Sequence, residues 1–176
     1  MKLPRCVVLT GASGAGKTET LKCLETRGHS WLRCFYFDTI GVPSGARMER
    51  DFGGPEAWQA DATARWIKRL TRGGKDGIVR VLEGQTRPSY VLSAARDAHA
   101  DGMVLVLMDG LAAVRRDRLS RRGQAYLADR RMEAWARDLR TEASALGLPI
   151  IDTSHLSVSD AADALEAVIH LSGSRS

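Results

Sequence analysis

Several residue types and patterns are scarce in this chain, and each scarcity excludes a class of protein. No uninterrupted apolar run among the 176 residues approaches the ~18 that a membrane-spanning helix needs, so we expect no membrane association. The three cysteines, Cys6, Cys23 and Cys34, lack a C-x-x-C spacing, and we expect reduced thiols and no zinc site. The first residues lead directly into an apolar segment without room for a signal peptide, which predicts a cytoplasmic protein.

Aromatic residues and lysines are also few. Aromatics are 6% of the chain, and they do not interleave with the basic residues as they do on base-stacking surfaces. Only five of the 26 basic residues are lysines, and nine of the arginines fall between Arg115 and Arg140. Such a cluster can bind nucleic acid, but it can equally hold the phosphates of a small nucleotide. We favour the small nucleotide and do not expect a nucleic-acid partner.

The most specific motif in the sequence lies at residues 11–18. These residues read Gly-Ala-Ser-Gly-Ala-Gly-Lys-Thr and match G-x-x-x-x-G-K-[ST], the phosphate-binding P-loop. A strand-like apolar segment precedes the motif and a helical segment follows it, which is the context that the motif requires. Backbone amides of the loop would face the phosphates, Lys17 would contact the β- and γ-phosphates, and Thr18 would bind Mg²⁺. The motif predicts a nucleotide-binding loop formed by Gly11, Ala12, Ser13, Gly14, Ala15, Gly16, Lys17 and Thr18.

The order of apolar and amphipathic segments predicts the fold class. Strand-like and helix-like segments alternate, as in a doubly wound α/β domain with a five-stranded parallel sheet and helices on both faces. The length and the 44% hydrophobic content suit a single domain over residues 1–176. The predicted strands are 6–10, 32–37, 78–83, 103–108 and 149–151, with 103–108 expected in the centre of the sheet. The predicted helices are 17–26, 55–72, 88–100, 111–122, 129–146 and a last helix that ends near residue 171.

Acidic residues follow two of the predicted strands, where open α/β sheets bind their ligands. Asp38 follows the second strand and could accept a hydroxyl proton during phosphoryl transfer, although aspartate also often caps a turn. Glu83 ends the third strand, and a buried acid needs a partner, either hydrated Mg²⁺ or an arginine. Gly84 would let a substrate approach the backbone closely. Gln85 and Arg87 could then bind the polar groups of that substrate.

An arginine cluster between residues 115 and 122 supplies candidates for phosphate contacts. Arg118 and Arg122 are four residues apart and share one face of a predicted helix. Arginines in such positions neutralise charge on a transferring phosphoryl group. Some of these arginines must lie on the solvated surface, and the sequence does not show which of them would contact phosphate.

Together these residues resemble the small P-loop kinases, ATP-binding proteins of the P-loop NTPase superfamily to which the AAA-type proteins also belong. The group includes the adenylate, gluconate and shikimate kinases and chloramphenicol phosphotransferase. The segment 82–87 resembles the Asp-Gly-Phe-Pro-Arg segment of adenylate kinases, and Arg118 with Arg122 resembles the arginine pair where their lid begins. Asp38 is placed like the acid proposed as catalytic base in chloramphenicol phosphotransferase-like enzymes. The segment with Thr153 is similar to the last strand and loop that hold adenine in these families.

The resemblance implies a three-layer, nucleoside-monophosphate-kinase-like fold that uses ATP and Mg²⁺. It also implies an acceptor-binding helical segment at about residues 43–75, which includes Arg47, and a short lid at about 115–130. The chain departs from adenylate kinases in its shorter lid and in the amide of Gln85, where those enzymes have an aromatic residue. These departures favour an ATP-dependent kinase that phosphorylates a hydroxyl or a phosphate of a different small-molecule acceptor, such as a sugar acid, a nucleoside, an antibiotic or another hydroxyl compound.

Two alternatives to a small-molecule kinase stay open at this point. The chain could be an NTPase that acts as a nucleotide-dependent switch, with water as the only phosphoryl acceptor. It could also phosphorylate nucleic-acid ends through its arginine-rich face, in which case its affinity would fall steeply with salt. A base at Asp38 favours the kinase over the switch. We expect a monomer or a homodimer.

Overall fold

A parallel sheet of five strands forms the centre of the structure. The computed structural model describes residues 3–72 and 76–173, and the strands named here belong to these ranges. Their bounds are β1 Cys6–Thr10, β2 Leu32–Tyr36, β3 Val79–Gly84, β4 Met103–Asp109 and β5 Ile150–Asp152. The strands lie in the order β2-β3-β1-β4-β5, and all neighbouring pairs are parallel. The predicted fold class is therefore confirmed, with β1 rather than β4 as the middle strand.

Helices cover both faces of this sheet. Their bounds are α1 Lys17–Thr26, α2 Gly45–Phe52, α3 Pro55–Thr71, α4 Pro88–Asp97, α5 Ala112–Arg121, α6 Arg130–Ala145 and α7 Val158–Gly173. Side chains of β1 alternate between the two helix layers, as a period of two residues requires. Val7 and Leu9 pack in one apolar cluster with residues of α1 and α7, whereas Cys6 and Val8 pack on the other face with residues of α3 and α4.

Apolar residues four positions apart form the buried face of α3, as helical periodicity requires. Pro55 occupies the first turn, where its missing N–H costs no hydrogen bond. Trp58, Ala62, Trp66 and Leu70 are all buried against the sheet. Trp66 is 1% exposed, and its indole N–H donates to the carbonyl of Phe37 at 3.0 Å. This contact holds the segment after β2 against α3.

Three local expectations need correction. Strand β2 ends at Tyr36 and a 3₁₀ turn follows at Phe37–Ile40, so Asp38 lies in this turn and not at the end of a strand. Helix α2 was not predicted as a separate element, although Ser44 caps it by accepting a hydrogen bond from the N–H of Arg47. The helix predicted at 129–146 is one residue shorter at each end, since α6 spans Arg130–Ala145, and Leu146 beyond it is 45% exposed.

Two further expectations from the sequence concern the state of the cysteines and the presence of membrane-spanning helices. Cys6, Cys23 and Cys34 are free thiols in the structure. Burial raises the pKa of Cys6 to about 11 and that of Cys34 to about 12. In the part of the chain that the structure describes, none of the helices has the length and apolar character needed to cross a membrane.

Candidate active site

The P-loop follows β1 at the carboxyl edge of the sheet, and two features require glycine there. Gly14 and Gly16 have φ values of 81° and 93°, which side chains other than glycine rarely adopt. A Cβ atom at Gly14 would lie 2.7 Å from the carbonyl oxygen of Arg115, and one at Gly11 would lie 2.1 Å from that of Met108. The loop therefore packs closely against the end of β4 and against α5. The need for glycine at position 14 was not evident from the motif.

Lys17 begins α1 and turns its side chain back over the loop. Its ammonium group donates a hydrogen bond of 3.1 Å to the carbonyl of Ala12, and the residue is 8% exposed. Burial lowers the pKa of Lys17 to about 8, while the nearby carboxylates of Glu83 and Asp38 act in the opposite direction and Arg122 lowers it further. A buried cation with one carbonyl partner is well placed to gain from an anionic ligand.

Thr18 and Glu83 meet beside the loop. The Thr18 hydroxyl donates a hydrogen bond of 3.2 Å to Oε1 of Glu83. Burial raises the pKa of Glu83, and the charges of Lys17 and the Thr18 hydrogen bond counteract part of this rise. A hydroxyl and a carboxylate are the hard oxygen donors that Mg²⁺ binds, usually with water and phosphate oxygens as its other ligands. Within the described residues, no group of three or more His, Cys, Asp or Glu forms a protein-only metal site.

A cavity of about 300 Å³ joins these groups to the segments after β2 and β3; we call it the central cavity. It brings together seven of the residues that the sequence predicted as site residues outside the glycine positions. These residues are Ser13, Lys17, Thr18, Asp38, Glu83, Gln85 and Arg122. Asp38 is exposed and Glu83 is buried, so the two carboxylates differ in their access to solvent.

A second cavity of about 230 Å³ lies on the β5 side of the P-loop, between α1, α5 and α7; we call it the β5-side cavity. Arg118 and Thr153 line it together with apolar residues such as Leu156 and Val158. The Arg118 guanidinium donates to Thr153 Oγ1 at 2.8 Å, to the Thr153 carbonyl at 2.7 Å and to the Gly14 carbonyl at 3.3 Å. Arg118 therefore links the P-loop to the segment after β5.

Thr153 also connects the segment after β5 to the P-loop. Its hydroxyl lies within hydrogen-bond distance of the carbonyls of Ala15, at 2.9 Å, and Asp109, at 3.0 Å. Because the residue is 2% exposed, its side chain serves this contact and has little surface left for a ligand.

Gln85 occupies the position between the P-loop and α3. Its Oε1 accepts a hydrogen bond of 3.1 Å from the Ser13 hydroxyl, and its carbonyl accepts one of 2.7 Å from Gln59. Gly84 beside it also lines the central cavity, while the side on which a Cβ would lie is occupied, and the close approach of a substrate to its backbone stays a prediction. A Cβ at Gly84 would lie 2.5 Å from the Cβ of Phe37, so the ring side chain of Phe37 already fills this space.

Two predicted substrate residues do not line the central cavity. Arg47 in α2 is exposed and pairs with Asp51 at 3.6 Å. The guanidinium of Arg87 lies 4.4 Å from the ring centroid of Trp135, in cation–π geometry. Their contact with an acceptor stays a prediction.

The buried ion pairs at the end of β4 were not predicted from the sequence. Arg115 is 5% exposed and bonds Glu133 at 2.5 Å, Asp109 at 3.5 Å and the Gly110 carbonyl. Asp109 ends an apolar strand just as Glu83 does, and the same signal would have identified it. The sequence carried no signal for Met132, whose Sδ atom lies 3.4 Å from the amide nitrogen of Ser13.

Comparison with known proteins supports the fold assignment. No protein-family model and no curated protein matches the chain. A gluconokinase from Sinorhizobium meliloti 1021 superposes with a TM-score of 0.72 at 17% identity, over 99% of this chain and 97% of that one. A shikimate kinase from Acinetobacter baumannii in complex with shikimate gives 0.62 at 19% identity, over 96% and 94% of the two chains. A tunicamycin resistance protein from Deinococcus radiodurans gives 0.62 at 15% identity, over 93% and 94%. The chain therefore has the fold of the small P-loop kinases, as its sequence predicted.

Proposed function

We propose that this chain is an ATP-dependent kinase that transfers the γ-phosphoryl group to a hydroxyl of a small-molecule acceptor. The observation that carries the proposal is the central cavity, which Lys17, Thr18 and Glu83 share with Asp38. A phosphate-binding loop and a separate carboxylate in one cavity supply a place for the triphosphate and a group that can take a proton.

The surroundings of Lys17 support binding of a triphosphate. Its ammonium group has the Ala12 carbonyl as hydrogen-bond partner, which a phosphate oxygen can replace with a full negative charge. The first amides of α1 have no carbonyl partner one turn earlier in the helix, and they add their partial positive charge. Phosphate binding would thus satisfy groups that the loop has already oriented.

Thr18 and Glu83 are the residues that would hold Mg²⁺, Thr18 directly and Glu83 through water. When bound, Mg²⁺ neutralises charge that develops on the phosphate oxygens. The raised pKa of Glu83 suits this role, since a buried carboxylate without a cation is unfavourable and a nearby cation restores its charged form.

Asp38 would accept the proton of the acceptor hydroxyl. As the hydroxyl oxygen bonds to the γ-phosphorus, the bond from that phosphorus to the β–γ bridging oxygen breaks, and ADP leaves. Arg122 lines both the central and the β5-side cavity, so it lies where it can neutralise charge on the transferring group. The β5-side cavity, with Arg118 at its wall, would take the nucleoside.

The test is ADP release from MgATP with a panel of hydroxyl compounds, beside a control without acceptor. ³¹P NMR of the same reactions would identify a phosphorylated product. We expect ADP release to depend on the acceptor and to match product formation. Equal ADP release in every reaction, with inorganic phosphate as the only product, would instead indicate an NTPase. Labelling of oligonucleotide ends, weakened steeply by salt, would indicate a nucleic-acid kinase.

A further inference from the structure

The central cavity has two chemically different ends. Towards the P-loop it carries the side chain of Lys17, and Arg122 adds a second positive charge. The sheet order places β2 and β3 on one side of β1, so the segments after these strands form the other end. There Phe37, Asp38 and Gln85 line the cavity. An acceptor at this end meets an aromatic ring, a carboxylate and an amide.

The short lid adds further uncharged side chains to the lining of the central cavity. Gln124 and Leu127, which follow α5, line the central cavity and add an amide and an apolar side chain. Among the described residues that line it, Lys17 and Arg122 are the cations. Both lie on the side that a triphosphate would occupy, and a bound triphosphate would compensate their charge.

Two arginines that the sequence predicted as substrate contacts do not line the central cavity. Arg47 pairs with Asp51, and Arg87 lies over the ring of Trp135. The cation–π contact stabilises the position of Arg87 beside Trp135. Neither of these two arginines therefore neutralises the negative charge of the carboxylates at the acceptor end.

We infer that the acceptor is a neutral hydroxyl compound without a carboxylate or phosphate group. The inference rests on the proposed kinase function and specifies its substrate class. An anionic group on the acceptor would lie near Asp38 and Glu83, and like charges repel strongly in a partly buried site. A neutral compound avoids this repulsion, and its hydroxyl still offers Asp38 the proton that the reaction must remove.

Fractionated metabolites test the inference without a prior choice of acceptor. A bacterial metabolite extract is separated by anion exchange into an unretained fraction and an anionic fraction. Each fraction is incubated with the protein and γ-³²P-labelled MgATP, and label in organic products is measured. We expect at least about tenfold more label in products of the unretained fraction.

Preferential labelling of the anionic fraction would overturn the neutral-acceptor inference and leave the kinase proposal intact. Label recovered only as inorganic phosphate from both fractions, with MgATP still bound, would overturn the kinase proposal itself. The two failures are therefore distinguishable.

A charge introduced into the lid provides the second test. Gln124→Arg places a cation on the cavity wall, whereas Tyr126→Arg places the same charge on a neighbouring side chain that is 74% exposed and does not line the cavity. We expect Gln124→Arg to shift the ratio of anionic to neutral products about tenfold towards anionic ones. Tyr126→Arg should keep both the parent ratio and the parent affinity for MgATP, and products of each variant are compared at saturating MgATP. An unchanged ratio in Gln124→Arg, or an equal shift in both variants, would contradict the inference.

Discussion

The hydroxyl of Thr18 donates a hydrogen bond to the carboxylate of Glu83, although the two residues are 65 positions apart in the chain. Strands β1 and β3 pair in parallel with Leu9 opposite Glu83, and the P-loop continues directly from β1. The acid that ends β3 therefore lies beside the first turn of α1. Two residues that the sequence predicted separately as Mg²⁺ ligands form one contact, and this contact supports a shared metal site.

Replacing Glu83 with Gln tests that site. The amide keeps the size of the side chain but removes the charge that would attract hydrated Mg²⁺. We expect the Mg²⁺ concentration for half-maximal turnover to rise about 10–100-fold, as for other residues that support a metal site. Glu56→Gln, an exposed residue in the first turn of α3, is the matched control. An unchanged Mg²⁺ requirement in Glu83→Gln would leave Glu83 as a structural acid.

Replacing Lys17 with Met tests triphosphate binding. The methionine keeps the apolar stem of the side chain but removes the ammonium group, so we expect turnover to fall by about 10²–10³-fold and MgATP to bind more weakly. Lys68→Met is the control, because Lys68 is exposed on α3 and does not line the central cavity. Circular dichroism should show a folded protein in both cases. Turnover at the parent rate in Lys17→Met would contradict the P-loop assignment.

The affinity for MgATP should depend on pH through Lys17. Burial lowers the pKa of this group to about 8, and a bound triphosphate would raise that pKa because it favours the charged form. Below pH 8 Lys17 is protonated before binding, so the affinity should be nearly constant. Above pH 8 binding must take up a proton, and the affinity should fall by up to about tenfold per pH unit. Calorimetric titrations between pH 6.5 and 9.5 would measure this, and Lys17→Met should show no such fall.

Replacing Asp38 with Asn tests the proposed base. General-base catalysis contributes about 10²–10⁴-fold, and we expect acceptor phosphorylation to fall by that range with MgATP affinity unchanged. Asp61→Asn is the control, because this residue is exposed on α3 and pairs with Arg65 at 2.9 Å. Loss of MgATP binding together with turnover would instead assign Asp38 to the metal site, and full activity would exclude it as the base.

Replacing Gly84 with Ala tests the packing at the end of β3. The added Cβ would lie 2.5 Å from the Cβ of Phe37, so one of the two segments must move. We expect the free energy of unfolding to fall by about 1–3 kcal/mol, measured by urea denaturation. Gly45→Ala in the first turn of α2 meets no atom within 4 Å and should be neutral or slightly stabilising. Equal stability of the two variants would show that Phe37 adapts without cost.

The sequence by itself determined the elements and the phosphate loop of this protein. The P-loop octet specifies its own conformation through glycines, a lysine and a threonine at fixed spacing, and the buried face of α3 follows from residues three and four apart. These patterns involve residues that are close together in the chain, so they can be recognised without knowing the fold. The fold class and the strand bounds to within one residue followed from the same local patterns, but helix α2 did not.

Tertiary structure alone decided which of the candidate residues share a cavity. The strand order β2-β3-β1-β4-β5 places Asp38 and Gln85 near Lys17, whereas Arg87 stacks on Trp135 outside the cavity lining. No local pattern encodes these contacts, because they depend on which strands are neighbours and how closely helices of distant sequence pack on them. The chain specifies its P-loop locally, but the walls of the central cavity come together only when the sheet is assembled.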